Sequence, residues 1–178
     1  VYDQALKETI RQAKTVPVLI NYTANGKRHE KTPDDADLVL IAKIDATEIP
    51  YWYPTDILPD GDKMSDPRSK GITHVHHFYT KRNLWVLGCI WYKLPLQGKW
   101  KLTNVLSRNA YKGNRFVVNK HNPNGRINGP LTGTLYIPSE SIEQNIIVLF
   151  DYKNTTSGWN TFGNIVSVQS ATMQNIAS

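Results

Sequence analysis

Residues 72–92 read ITHVHHFYTKRNLWVLGCIWY, and the secondary structure given to them decides how the rest of the chain is understood. Positions 84–92 are apolar almost throughout and run about the length of one strand. Taken with a period of two, Leu84, Val86, Ile90 and Tyr92 line one face, and Trp85, Leu87, Cys89 and Trp91 line the other. A segment apolar on both faces fits a central strand covered from both sides. Residues 72–80 then supply the partner strand, with Lys81-Arg82-Asn83 as the turn. Gly88 leaves room for a close backbone approach, and Pro95 ends the strand.

Outward from this hairpin the β signals continue. Residues 16–23 read as a strand, and Ala24-Asn25-Gly26-Lys27 as a hairpin turn in which Asn-Gly supplies the positive φ angles. The return arm 27–31 is wholly polar and is expected to be an exposed edge. Residues 38–44 read as a more buried strand, and 100–105, 115–119, 133–137, 146–152 and 164–170 as further strands. One helix is expected, over residues 1–15. Tyr2, Leu6 and Ile10 recur at four-residue spacing, Asp3 sits near the start and Pro17 blocks continuation. Turn signals recur at short intervals and no helix separates the later strands. The expected fold is mainly β: a single antiparallel β-sandwich of jelly-roll type over residues 1–178, with an N-terminal amphipathic helix. A long Pro/Asp-rich loop spans 49–71, and 171–178 forms a tail.

The single cysteine, Cys89, excludes an intrachain disulfide framework and a cysteine-based zinc site. No apolar run approaches the roughly 18–20 residues that span a bilayer. The sequence starts at Val1 rather than Met, as a processed product or a fragment would.

Charge is distributed unevenly. Residues 67–139 hold no Asp or Glu but twelve Lys/Arg, between flanks that are mildly acidic. Within that stretch Lys81, Arg82, Arg108, Lys112, Arg115, Lys120 and Arg126 are the candidate phosphate-neutralising residues, interleaved with Trp85, Trp91, Tyr92, Trp100, Tyr111 and Phe116. Uncompensated cations repel one another and favour a polyanion. Cations for phosphates and rings for bases are the elements of sequence-independent nucleic-acid binding.

Searches for chemistry return little. Gly-x-Ser-x-Gly, Gly-x-x-x-x-Gly-Lys-Ser/Thr and Gly-x-Gly-x-x-Gly are all absent. Asp56, Asp60, Asp62 and Asp66 would suit a calcium ion, but the EF-hand spacing fails: the sixth residue from Asp60 is Ser65 and the twelfth is Gly71. His74-Val75-His76 is the sharpest local pattern. On a strand both imidazoles would share one face, with His77 on the other. This triplet resembles the second motif of the HUH nucleases, which nick single-stranded DNA. The resemblance implies a metal held by His74 and His76, a carboxylate completing the site (Glu30 or Glu48, for example), and a tyrosine nucleophile near a lysine. Tyr79-Thr80-Lys81-Arg82 is the nearest counterpart, in the hairpin rather than on a helix; Tyr111-Lys112 has the wrong spacing.

The sequence alone therefore favours a non-enzymatic, self-assembling structural protein with a basic face toward nucleic acid, such as a viral coat protein in a virion or its host cell. No catalytic residue, metal ligand or cofactor is expected, and the partners are nucleic acid and further copies of the chain. The first alternative is a protein that binds anionic membranes, either a viral matrix protein or a secreted cytolysin. Actinoporins are similar in size, basicity and N-terminal helix, though their helix is more apolar than residues 2–14. The second alternative is the metal-dependent HUH-type nuclease.

Overall fold

Two short polar side chains, Asp34 and Thr80, start helices where strands are expected, and the β-sandwich does not form. The computed structural model describes residues 1–95, 99, 107, 110–112, 117–118, 127–128, 137 and 143–147. The chain divides into two units, Val1–Glu48 and Ile49–Ser178.

In the first unit, residues 1–15 are not a helix. Strand β1 (Tyr2–Asp3) pairs antiparallel with β2 (Glu8–Thr9). The Asp3 carboxylate accepts the N–H groups of Ala5 at 2.9 Å and Leu6 at 3.1 Å. Such a local side-chain acceptor competes with helical bonding and favours a turn. Lys7, at φ 57°, completes the reversal.

The next hairpin has the expected turn and return arm, but its first strand begins at Ile20 rather than at residue 16. Strand β3 (Ile20–Ala24) pairs with β4 (Lys27–Lys31), and Asn25 and Gly26 take φ values of 52° and 71°. Those two positive angles make the primed turn whose twist matches the strands. Strand β4 is exposed along most of its length, and its His29 stacks on the directly opposite Tyr22, ring centroids 5.3 Å apart.

Residues 38–44, expected as a strand, lie inside helix α1 (Asp35–Ala46). Asp34 caps it reciprocally: its carboxylate accepts the Asp37 N–H at 3.0 Å, and the Asp37 carboxylate accepts the Asp34 N–H at 3.0 Å. The Asp37 N–H, followed by the Lys31 ammonium, holds the Asp34 carboxyl below its ordinary pKa. Leu40, Ile41 and Ile44 turn inward at helical spacing, while Val39 is 68% exposed.

The second unit is built around helix α3 (Lys81–Lys93), which contains the whole 84–92 run expected as a strand. The Thr80 hydroxyl accepts the Asn83 N–H at 3.3 Å and donates to Glu143 at 2.9 Å. Leu84, Leu87 and Gly88 are buried at helical spacing, and Tyr92 is 72% exposed. The close approach expected at Gly88 is present, on a helix: a Cβ there would lie 3.1 Å from Tyr51 Cβ and 3.3 Å from the Trp52 carbonyl oxygen.

The Pro/Asp-rich stretch is only partly irregular. It holds a 3-10 turn at Asp62–Met64 running into the short helix α2 (Ser65–Ser69). Residues 72–80 are not a strand either. A single antiparallel bridge joins Ile57 to His74, and Val75–Phe78 then forms a 3-10 turn. Strands β5 (Val117–Val118) and β6 (Ile127–Asn128) pair antiparallel, β5 within the expected strand 115–119. Ile146 and Ile147 are helical, against the strand expected at 146–152. The expected strands 100–105 and 164–170, the tail 171–178 and all of 133–137 except Ile137 lie outside the described residues.

Two apolar clusters fill this unit. One joins Leu87, Leu94, Ala110 and Ile146; the other joins Leu58, Met64, Ile72, Phe78 and Ile137, and Tyr79 packs against both. Among the described residues every sheet has two strands, and no helix is long and apolar enough to cross a membrane. The jelly roll is overturned. With it go the coat-protein reading, which needed a rigid sandwich, and the cytolysin reading, which needed a sandwich and an N-terminal helix.

Asp66 and Lys70 fasten a distant segment. The Asp66 carboxylate accepts the Ile137 N–H at 2.8 Å, and Lys70 Nζ donates to the Ile137 carbonyl at 2.6 Å and to Asp66 at 3.0 Å. The Ile137 N–H first, then Lys70, keeps the Asp66 carboxyl below its ordinary pKa. A carboxylate with a depressed folded pKa stabilises fully above its unfolded pKa, about 3.9, and that stabilisation is lost as pH falls through the folded value. Asp66→Ala is therefore expected to cost roughly 1 kcal/mol at neutral pH, given the partial exposure of the pair. It should also remove part of the acid limb below about pH 4, as read by urea unfolding across pH. At Gly88 the same assay should find Gly88→Val destabilising by about 2 kcal/mol through overpacking. Gly88→Ala should be near neutral, because its helix-propensity gain of about 1 kcal/mol offsets the crowding.

Candidate metal centre

The turn at 73–78 gathers three of the five histidines. His76 and His77 are 7% and 4% exposed, His74 is half-buried, and all three belong to the second unit. Ring centroids lie 4.3 Å apart for His76–His77, 5.1 Å for His74–His77 and 5.7 Å for His74–His76. Tyr53 flanks the group, its ring 5.9 Å from that of His76.

Local chemistry makes the turn. Nδ1 of His77 accepts the backbone N–H of Thr73 at 3.2 Å and that of His74 at 3.3 Å. The Thr73 hydroxyl lies 2.9 Å from His74 Nδ1 and 3.4 Å from His77 Nδ1. With two N–H donors aimed at Nδ1, the lone pair is placed there and the proton of the neutral ring on Nε2, an assignment that follows from the hydrogen-bond geometry. A strand would bond these N–H groups to a neighbouring strand, but here a side chain takes them and the chain bends.

His76 and His77 offer ring nitrogens within 4.8 Å of one another. Two ligands at a tetrahedral angle about a zinc-class ion stand roughly 3.4 Å apart. The pair is therefore close enough to be a candidate for holding one ion together. The pair could hold a metal ion, which goes against the expectation of a non-enzymatic protein. It also shifts the predicted ligand pair. His74 and His76 do not share the face of a strand, and His77, which strand alternation puts on the opposite face, becomes the partner of His76. The i, i+3 and i, i+4 placement of His77 relative to His74 and Thr73 is the signal in the sequence that period-two reading overlooks.

The tyrosine expected as nucleophile is unsuited. Tyr79 is partly buried between the two apolar clusters, and this burial raises its phenol pKa against the opposing bond from Ser107. Burial also raises the Tyr111 phenol. The acidic loop residues do not converge on calcium: Asp60 pairs with Arg68 at 2.5 Å and Asp66 with Lys70, and among the described residues the four loop aspartates form no metal-holding group.

The candidate cations are found in several settings. Lys81 opens α3. Arg82 pairs with Glu143, its Nε 3.0 Å from the carboxylate, and its side chain is 22% exposed. The Lys112 N–H donates to the Phe78 carbonyl at 2.7 Å. Arg108, Arg115, Lys120 and Arg126 lie outside the described residues. Arg68, Lys70 and Arg82 thus each meet a carboxylate from outside the acid-free stretch, so that stretch is partly neutralised within its own unit.

No protein-family model matches the chain, and neither does any curated protein or any solved structure searched.

Replacing His77 by Ala leaves the N–H groups of Thr73 and His74 without their acceptor. The expected loss is about 1–3 kcal/mol, against well under 1 kcal/mol for His74→Ala on its half-exposed ring. Thermal melts of the two variants check the order.

Proposed function

We propose that the second unit is a metal-dependent hydrolytic domain acting on phosphodiester bonds of nucleic acid, with His76 and His77 as protein ligands of a zinc-class divalent ion. The observation that carries this reading is the buried pair of imidazoles, with ring nitrogens within 4.8 Å of one another. Imidazole nitrogen suits zinc and its first-row neighbours better than calcium or magnesium, which prefer oxygen. A bound ion supplies Lewis acidity and lowers the pKa of a coordinated water toward about 7. Partial burial raises the Tyr79 phenol pKa, which argues against that side chain as the nucleophile. The reading retains the metal-dependent nuclease suggested by the histidine motif, but without its strand, its ligand pair or its tyrosine.

The residues of the chain have separate tasks. His77 is oriented by the Thr73 and His74 N–H groups. Ligation through Nε2 would require that ring's proton to move to Nδ1, and so would compete with the two N–H bonds that make the turn. Tyr53 packs its ring on His76 and restricts that imidazole. Substrate choice is supported by charge: residues 49–178 carry fourteen Lys/Arg against seven Asp/Glu, whereas residues 1–48 are nearly balanced. A cationic surface raises the local concentration of a polyanion.

The test is direct. The full chain is titrated with cobalt(II) or zinc(II), and cleavage of a labelled single-stranded oligonucleotide is followed with metal and with EDTA. His76→Ala should weaken metal binding by about tenfold or more, with the melting temperature checked in parallel, and EDTA should abolish cleavage. Absence of metal binding, or cleavage unaffected by EDTA, refutes the assignment.

A further inference from the structure

On helix α3, consecutive Trp91 and Tyr92 meet consecutive Tyr51 and Trp52 from the Pro-rich segment. Tyr51 and Tyr92 have ring centroids 5.6 Å apart at 39°, and Trp52 and Trp91 5.9 Å apart at 40°. Gly88 makes this pairing feasible, since its missing side chain lets the 51–52 backbone settle onto the helix. Trp52 is nonetheless 64% exposed and Tyr92 72% exposed. Two large rings left this open within one group of paired aromatics indicate a binding surface rather than scattered surface apolar residues.

The flanking charge favours a particular occupant. Lys99 Nζ lies 5.3 Å from the centre of the Trp91 ring, and Lys93, the last residue of α3, is exposed. Residues 67–139, which include most of this face, contain no carboxylate. Flat rings bind any base through its π-face, while neighbouring ammonium groups meet the phosphates. We propose that Trp52 and Tyr92, backed by Tyr51 and Trp91, stack unpaired bases of a single-stranded polynucleotide, with Lys93 and Lys99 on its phosphates. The proposal deepens the preceding reading by naming single strands as the substrate, and rests on it for that role. Duplex DNA is disfavoured, because its bases are already stacked and its faces are closed to the rings.

The experiment uses the full chain in EDTA, so that no metal contributes, and follows quenching of tryptophan fluorescence by oligo(dT). Trp52→Ala and Tyr92→Ala should each weaken binding about tenfold, within the range known for base–aromatic stacking. Their salt dependence should stay as in the parent, and Trp52→Phe should restore most of the affinity. Lys99→Ala should instead reduce the slope of log affinity against log salt by about 0.7, the share of one phosphate on a single strand. Because EDTA removes any metal, the parent's binding of oligo(dT) reads this surface alone, so failure of the metal centre and failure of this surface are told apart. The proposal is overturned if oligo(dT) does not quench, or if a duplex of equal length binds as tightly. It is also overturned if phosphatidylserine vesicles bind through Trp52 and Tyr92 while oligo(dT) does not, which would mark a membrane surface.

Discussion

A buried imidazole accepting two main-chain N–H groups is the constraint on which the second unit turns. His77 Nδ1 takes the N–H of Thr73 and of His74, so the chain bends where a strand would have continued. The bend has consequences in both directions along the chain. Upstream, the Ile57–His74 bridge pins the proline-rich segment to the turn. Downstream, Phe78 enters one apolar cluster, Tyr79 packs against both, and Thr80 arrives with extended backbone as the cap of α3. The same imidazole stands next to His76, so the group that shapes the turn also belongs to its candidate chemistry. Such economy has a chemical limit: while the turn holds, His77 presents Nε2 as an N–H donor, and ligation there would need that proton moved.

Electrostatics work at a second level. The acid-free stretch is repulsive along the sequence, yet folding brings carboxylates to it from both sides: Asp60 to Arg68, Asp66 to Lys70 and Glu143 to Arg82. These pairs do structural work. Asp66 and Lys70 together occupy the N–H and carbonyl of Ile137, and Glu143 takes both the Thr80 hydroxyl and the Arg82 guanidinium at the start of α3. Half-exposed ion pairs contribute little by Coulomb attraction alone. Their value here is that they supply hydrogen bonds to backbone and cap groups joining segments more than sixty residues apart.

The readings of the sequence that held were those fixed by local stereochemistry. Asn25-Gly26 demands positive φ at both positions, and few structures other than a tight hairpin provide it. The polar arm 27–31 had nothing to bury, and Gly88 marked a close approach whichever element carried it. The readings that failed concerned apolar runs. Residues 84–92 are apolar at nearly every position, so a period of two and a period of 3.6 describe them equally well, and length does not arbitrate. The deciding residues were the caps outside the runs. Asp34 with Asp37, and Thr80 with Asn83, are helix-start patterns that outweigh the β-branched content beside them. At the N-terminus the error is the reverse: apolar spacing suggested a helix, but the Asp3 side chain bonds the N–H groups of Ala5 and Leu6 and makes a turn.

By itself, then, the sequence determined the 24–27 turn, the uneven charge and the presence of a histidine cluster, because each depends on residues adjacent in the chain. Tertiary structure alone decided which imidazoles face one another, which cations meet carboxylates, and that Tyr51-Trp52 should lie against Trp91-Tyr92. The physical reason is distance along the chain. A hydrogen bond from Ile137 to Asp66, or a ring contact between residues forty apart, depends on how apolar clusters close. Many sequences with the same local patterns would close them differently.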